Sequence, residues 1–185
     1  MTRIAVIIGT TRPNRVGDSV GEWVFSQARR RTDAEFELVD IRDQHLPLLD
    51  EPVPPSMGQY REPHTQAWAA KVATFDGFVF VTGEYNHGIP GALKNALDYL
   101  YAEWNNKAAA FVSYGSAGGV RAVEHLRTVM GELQVADVRE QLFLDLAADF
   151  DGDEVAPTPI HADILTGVLD QVVAWSAALR PLRGG

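Results

Sequence analysis

The stretch "FDGFVFVTGEYNHGIPGALKNALDYL", residues 75–100, decides the fold. Its first third is a strongly apolar segment, the pattern of a strand buried on both faces of a parallel sheet. Gly83, Glu84, Tyr85, Asn86, His87 and Gly88 then read as a loop. Pro90 begins a helix, where its missing N–H costs little. Leu93, Ala96, Leu97, Leu100 and Tyr101 line one side of that helix. A carboxylate, an amide and an imidazole thus stand at the mouth of a buried strand, either as an ordinary strand-to-helix turn or as a grip on a ligand.

The same alternation continues outward in both directions. "RIAVIIGT", "FELVDI", "KAAAFVSYG" and "VREQLFL" read as further strands, the last more polar and suited to an edge. Helical spacing runs from Asp18 to Arg30, from Thr65 to Phe75, through Val120, Val123, Arg127, Met130 and Leu133, and from His161 to Leu179. Five near-continuous apolar strands alternating with five helices predict an α/β fold, a doubly wound parallel sheet in a single domain over residues 1–185. In such sheets ligands bind beyond the carboxyl ends of the strands, where the strand order reverses. The loops to inspect are therefore "GTTRPNRVGDS", "GEYNHGIP" and "YGSAGGV". Two irregular segments interrupt the alternation: residues 44–64, with five prolines, and the acidic "DLAADFDGDEVAPTP".

Composition narrows the chemistry. The chain lacks cysteine, which excludes disulfides, thiolate nucleophiles, cysteine zinc sites and iron–sulfur clusters, and it agrees with a cytoplasmic location. A net charge of −9 gives no general attraction to nucleic acid. No apolar run approaches bilayer-spanning length, so no membrane association is expected. Any anionic ligand has to be held by a local basic or amide-lined site.

The loop from Gly9 to Gly17 has that character. It leads from a strand into a helix start, where free amides suit phosphate. Thr10 and Thr11 add hydroxyls, and Arg12 and Arg15 add guanidinium groups matched to phosphate geometry. Asp18 is placed to cap the helix and Ser19 to cap or contact from its first turn. The glycine pattern of a dinucleotide cradle and the Gly-Lys-Ser/Thr of a triphosphate loop are both absent, so the loop favours a lone phosphate such as that of a mononucleotide. Gly115, Gly118 and Gly119 permit tight turns beside a ligand.

Together, "GTTRPNRVGDSV", "EYNHGIPGALKNALD" and "SYGSAGGVRAVEHLR" resemble the NADPH-dependent FMN reductase family of flavodoxin-like proteins. The middle motif, E-Y-N followed by P-x-x-L-K-N-A-x-D, is the most specific. The family usually has proline where Gly83 stands and often serine where Gly88 stands. The resemblance implies strand order 2-1-3-4-5 with FMN across the carboxyl ends. It implies that Thr10, Arg12, Arg15 and Gly17 bind the FMN phosphate. Glu84, Tyr85, Asn86 and His87 would flank the isoalloxazine, with Gly115, Ser116 and Gly118 along its other side. It further implies a homodimer or a dimer of dimers.

The implied reaction is hydride transfer from NADPH to the flavin N5, then electron delivery to a free flavin, a quinone or a similar acceptor. Because the cofactor carries that chemistry, no catalytic side chain and no metal ligand is assigned. His87 is the one candidate proton donor to a quinone. Arg12, Arg15, Lys94 and Arg121 are the candidate partners of the NADPH 2′-phosphate. Beside release of reduced flavin to a partner monooxygenase, and beside a non-catalytic flavodoxin-like module without bound flavin, two alternatives remain open. One is a quinone, azo or metal-ion reductase that keeps FMN as a prosthetic group. The other is a flavodoxin-type electron carrier.

Overall fold

In the computed structural model, which describes residues 1–183, the apolar runs assemble into one parallel sheet. Its strands are β1 (Thr2–Ile8), β2 (Ala34–Asp40), β3 (Gly77–Gly83), β4 (Lys107–Gly115) and β5 (Val135–Asp145), in spatial order β2-β1-β3-β4-β5. This is the order that the family resemblance implies. The intervening helices are α1 (Gly17–Ala28), α2 (Pro63–Ala73), α3 (Gly91–Asp98), α4 (Val120–Glu132) and α5 (Pro159–Leu179).

Period-two alternation divides each strand between two cores. Ala5, Ile7, Phe78, Phe80 and Phe111 face α2, α3 and α4, where they meet Trp68, Leu97, Trp104 and Leu126. Val6, Val79, Val81, Val112 and Tyr114 face α1 and α5, against Val20, Val24, Leu165, Val168 and Val172. Each side chain of this size adds roughly 1.5–3 kcal/mol on burial, so both faces are needed to hold the sheet. The chain leaves β1 for β2 on one side and returns to β3 on the other. The loops after β1 and β3 therefore diverge at the carboxyl ends and open a cleft between them.

Several local expectations change. Pro90 is extended (φ −52°, ψ 130°) and precedes α3 rather than joining it, and α3 stops at Asp98, leaving Leu100 and Tyr101 in the following turn. Strand β5 starts three residues before the predicted Val138, and the β4–β5 register shifts between Ala109 and Phe111. The acidic segment contains a short hairpin, β6 (Phe150–Asp151) with β7 (Glu154–Val155). Before α2 begins at Pro63, the proline-rich segment holds a single-turn helix, Pro55–Met57. The last helical stretch, Pro159–Arg183, is long and apolar enough to cross a membrane by length and composition, contrary to the sequence expectation. Its Leu165, Val168, Leu169 and Val172 nevertheless pack onto the sheet.

Candidate flavin site

The loop after β1 begins as an extension of the sheet, with the Gly9 amide donating to the Val81 carbonyl at 2.8 Å. Thr10 is fully buried, and its hydroxyl lies 3.1 Å from the Tyr114 hydroxyl. Arg12 is exposed and has no carboxylate partner among the described residues; its only hydrogen bond is a long one, 3.5 Å, to the Pro13 carbonyl. Asn14 takes a left-handed φ of 55°, which turns the chain back so that Arg15 points inward.

Arg15 is the buried charge of the site, its side chain only 1% exposed. Its Nε donates to Asp18 at 2.5 Å and its Nη2 donates to Asp40 at the end of β2. Burial works against the guanidinium charge, but the bonds to Asp40 and Asp18 outweigh it and raise its pKa. The remaining nitrogen, Nη1, is buried with no hydrogen-bond partner. Leaving such a donor unpaired costs about 1–3 kcal/mol, more for a charged group, so it marks a place where an acceptor belongs.

Helix α1 starts next to it without a side-chain cap. Val16 occupies the capping position, and the expected cap Asp18 is instead bonded to Arg15. The Ser19 hydroxyl accepts from the Val155 amide at 2.8 Å, fastening the β6–β7 hairpin to α1. The first amides of α1 are thus free of side-chain acceptors, the arrangement that receives an anion. Gly17 is required here by space: a Cβ on it would lie 2.4 Å from the Tyr114 hydroxyl and 2.6 Å from the Thr10 hydroxyl.

After β3, Tyr85 and Gly88 exchange both backbone hydrogen bonds, at 3.1 and 3.0 Å. Asn86 (φ 50°) and His87 (φ 65°) form the tip, both left-handed as in a type I′ turn, and both are exposed. Glu84 turns the other way, toward the start of α4. Its carboxylate accepts from the Arg121 and Ala122 amides at 3.1 and 3.4 Å and from Arg121 Nε at 2.7 Å. Burial pushes the Glu84 carboxyl up, but the Arg121 side chain and the helix amides together hold it below the usual range. Glu84 is therefore a clasp between the loops after β3 and β4.

The β4 loop turns through Gly118 (φ 66°) and Gly119 (φ 70°), with the Ser113 hydroxyl donating to the Gly118 carbonyl at 2.6 Å. Ser116 is exposed on its outer side. Gly83 gives the Tyr114 ring its place: a Cβ there would sit 3.1 Å from the ring edge.

These loops enclose a cleft of about 150 Å³ lined by Arg12, Arg15, Val16, Gly83, Glu84, Tyr85, Tyr114, Gly115 and Leu146. Five of the residues expected from sequence, Arg12, Arg15, Glu84, Tyr85 and Gly115, are brought together in its wall. Thr10 and Gly17 pack behind Tyr114, while Asn86, His87, Ser116 and Gly118 lie outside the lining. Tyr114, Val16 and Leu146 were missed. Tyr114 had a signal, since it ends a strand just before the glycine loop; Leu146, in the acidic segment, had none. Of the basic residues considered for NADPH, Lys94 is paired with Asp98 at 2.6 Å and Arg121 with Glu84. Arg12 alone among the four lacks a carboxylate.

An orphaned guanidinium nitrogen, an uncapped helix start and a wall holding two glycines and two aromatic rings suit a ligand with a phosphate at one end and a flat ring at the other. Sheet order and cleft position define the class as flavodoxin-like α/β proteins. Residues 2–149 match the family model described as NADPH-dependent FMN reductase, and the chain belongs to that family. It is 39% identical over 183 residues to an NAD(P)H-dependent FMN reductase of Schizosaccharomyces pombe, covering 98% of this chain and 85% of the relative. It is 42% identical over 190 residues to an NAD(P)H-dependent FMN reductase of a Nectria species, covering 96% and 89%. The fold matches the flavoenzyme NAD(P)H:(acceptor) oxidoreductase FerB from Paracoccus denitrificans with TM-score 0.74 at 20% identity, over 96% of this chain and 98% of that one. The protein is accordingly an oxidoreductase whose cofactors are FMN and NADPH.

Proposed function

We propose that this protein passes electrons from NAD(P)H through FMN held in the Arg15–Tyr114 cleft to a second flavin or a quinone. The observation that carries this placement is the buried, unpartnered Nη1 of Arg15 beside the uncapped start of α1. Arg15, Arg12 and the α1 amides would hold the phosphate. Gly83, Tyr85 and Gly115 would receive the ring, with Asn86, His87, Ser116 and Gly118 at its rim. When bound, FMN supplies hydride acceptance and onward electron donation. The protein's own contribution is orientation. Asp18 and Asp40 fix the guanidinium, and the Glu84–Arg121 clasp fixes the two loops relative to each other. No proton transfer by a side chain is assigned. The exposed His87 is the one titratable group at the tip of the β3 loop, and quinone reduction by His87→Ala at the wild-type rate would end any claim for it.

Quinone as acceptor is supported by relatives such as a 2-hydroxy-1,4-benzoquinone reductase of a Burkholderia species, 31% identical over 140 residues and 72% of this chain. The rest of the reading is one domain over residues 1–185, cytoplasmic, acting as a homodimer or dimer of dimers, with a monooxygenase as one user of reduced flavin. The chain's lack of cysteine is in keeping with the compartment. Steady-state oxidation of NADPH and NADH against a quinone, with and without added FMN, tests the reading. Turnover that requires flavin supports it. Turnover independent of flavin, or none under any combination, removes it.

A further inference from the structure

We propose that the hydroxyl on the cleft side that meets the flavin phosphate is that of Tyr114, and that Thr10 acts behind it as a positioning residue. The inference rests on the FMN reading above and deepens it.

Thr10 is one of the four residues that the sequence resemblance assigns to the phosphate, yet it is fully buried, absent from the cleft wall, and its hydroxyl is engaged with Tyr114 at 3.1 Å. Tyr114 does line the cleft, together with Arg12 and Arg15. Its hydroxyl lies at the first turn of α1, 2.4 Å from where a Gly17 Cβ would stand, and so beside the open helix amides. The independent sign of an anion is the unpartnered Nη1 of Arg15 in the same wall.

Either hydroxyl can donate across the Thr10–Tyr114 pair. With phosphate present one arrangement satisfies every group: Thr10 donates to the Tyr114 oxygen, and the Tyr114 O–H turns to the phosphate. A hydroxyl chain of this kind polarises along its length, which strengthens the terminal donor. Burial pushes the Tyr114 phenol up to about 12, partly offset by its bond to Thr10, so the group keeps its proton at neutral pH. Two neighbours fix the ring's position. Gly83 leaves room for its edge and Gly17 for its hydroxyl, so each glycine is tied to Tyr114 by space.

The test uses flavin-stripped full-length protein titrated with FMN and with riboflavin, which lacks the phosphate, followed by flavin fluorescence. Tyr114→Phe is expected to weaken FMN roughly tenfold, the scale of one hydrogen bond to a charged group, and to leave riboflavin within about twofold. Thr10→Val is expected to weaken FMN when made in the wild-type protein and to add nothing when made on top of Tyr114→Phe. Unchanged FMN affinity in Tyr114→Phe overturns the proposal, and so does equal weakening of both flavins, which marks ring packing alone. Independent, additive effects of the two substitutions overturn the positioning role of Thr10. If Tyr114→Phe does not fold, Thr10→Val alone decides through the same FMN-to-riboflavin comparison. A wild-type protein that binds neither flavin overturns the proposal together with the FMN reading, and it does so before any variant is made.

Discussion

Substituting Gly17 by alanine places one methyl group where the structure has no room. The new Cβ would lie 2.4 Å from the Tyr114 hydroxyl and 2.6 Å from that of Thr10, well inside contact distance. Both oxygens have to retreat, and each is the other's hydrogen-bond partner at 3.1 Å. Overpacking of this kind costs about 1–3 kcal/mol. Losing the buried hydrogen bond adds about 1 kcal/mol, and alanine's more restricted unfolded state returns about 0.4–1 kcal/mol. The net expectation is a loss of roughly 1–3 kcal/mol, read in urea unfolding of the flavin-free protein. For a chain of this size that lowers Tm by about 2–4 °C per kcal/mol. The double variant Gly17→Ala/Tyr114→Phe removes the nearest clashing atom, so alanine should cost at least about 1 kcal/mol less there, within the range for residues in contact. Equal costs in both backgrounds, or a Gly17→Ala protein as stable as wild type, refutes the spatial argument.

Lys107 is buried at the opposite end of β4, donating to the Val72 carbonyl at 2.9 Å. Burial first, then Arg183, lowers its pKa to about 8, against the opposing pull of Asp76 and Glu103. The unfolded chain then holds this proton to higher pH than the folded one, so stability should rise between pH 8 and about 10.5, by about 3 kcal/mol at most. Unfolding curves across that range check it, and Lys107→Met should flatten this part of the profile. Glu84, also depressed by its partners, makes stability rise with pH in the same sense, but on the acid side. Its contribution is present above the ordinary carboxylate range and lost as pH falls through its folded pKa; Glu84→Gln should shrink that acid-side loss in the same experiment. His87→Gly would give the tip of the β3 loop an Asn-Gly pair suited to two left-handed residues, and should stabilise by up to about 1 kcal/mol in thermal melts.

The strands were legible because each is a buried run with a clear end, and the three loops because they follow strands one, three and four. The partners of Arg15 were harder. Asp40 is 25 residues away and reaches it only because β2 lies beside β1 in register, Ile8 opposite Asp40. Sequence therefore shows an arginine ready for phosphate, while the fold has already committed two of its nitrogens. Glu84 looked like a flavin-edge group for a similar reason, since its helix-start partners lie 37 and 38 residues on. The face of Tyr114 was hidden because β4 is apolar on both sides, so alternation gave its parity without saying which side met α1. Gly83, where the family resemblance leads one to expect proline, gains a physical account from the Tyr114 ring packed over it.

The most direct test of the site is the ratio of riboflavin to FMN dissociation constants for the flavin-stripped wild-type protein and for Arg15→Met. One charge-assisted contact from the orphaned Nη1, together with the α1 amides, predicts FMN bound roughly tenfold to a hundredfold more tightly than riboflavin. That preference should fall by roughly tenfold in the variant, the scale of one charge-assisted contact, while riboflavin binding persists. A wild-type protein that binds both flavins equally, or an Arg15→Met protein that keeps the full preference, contradicts the placement of the phosphate.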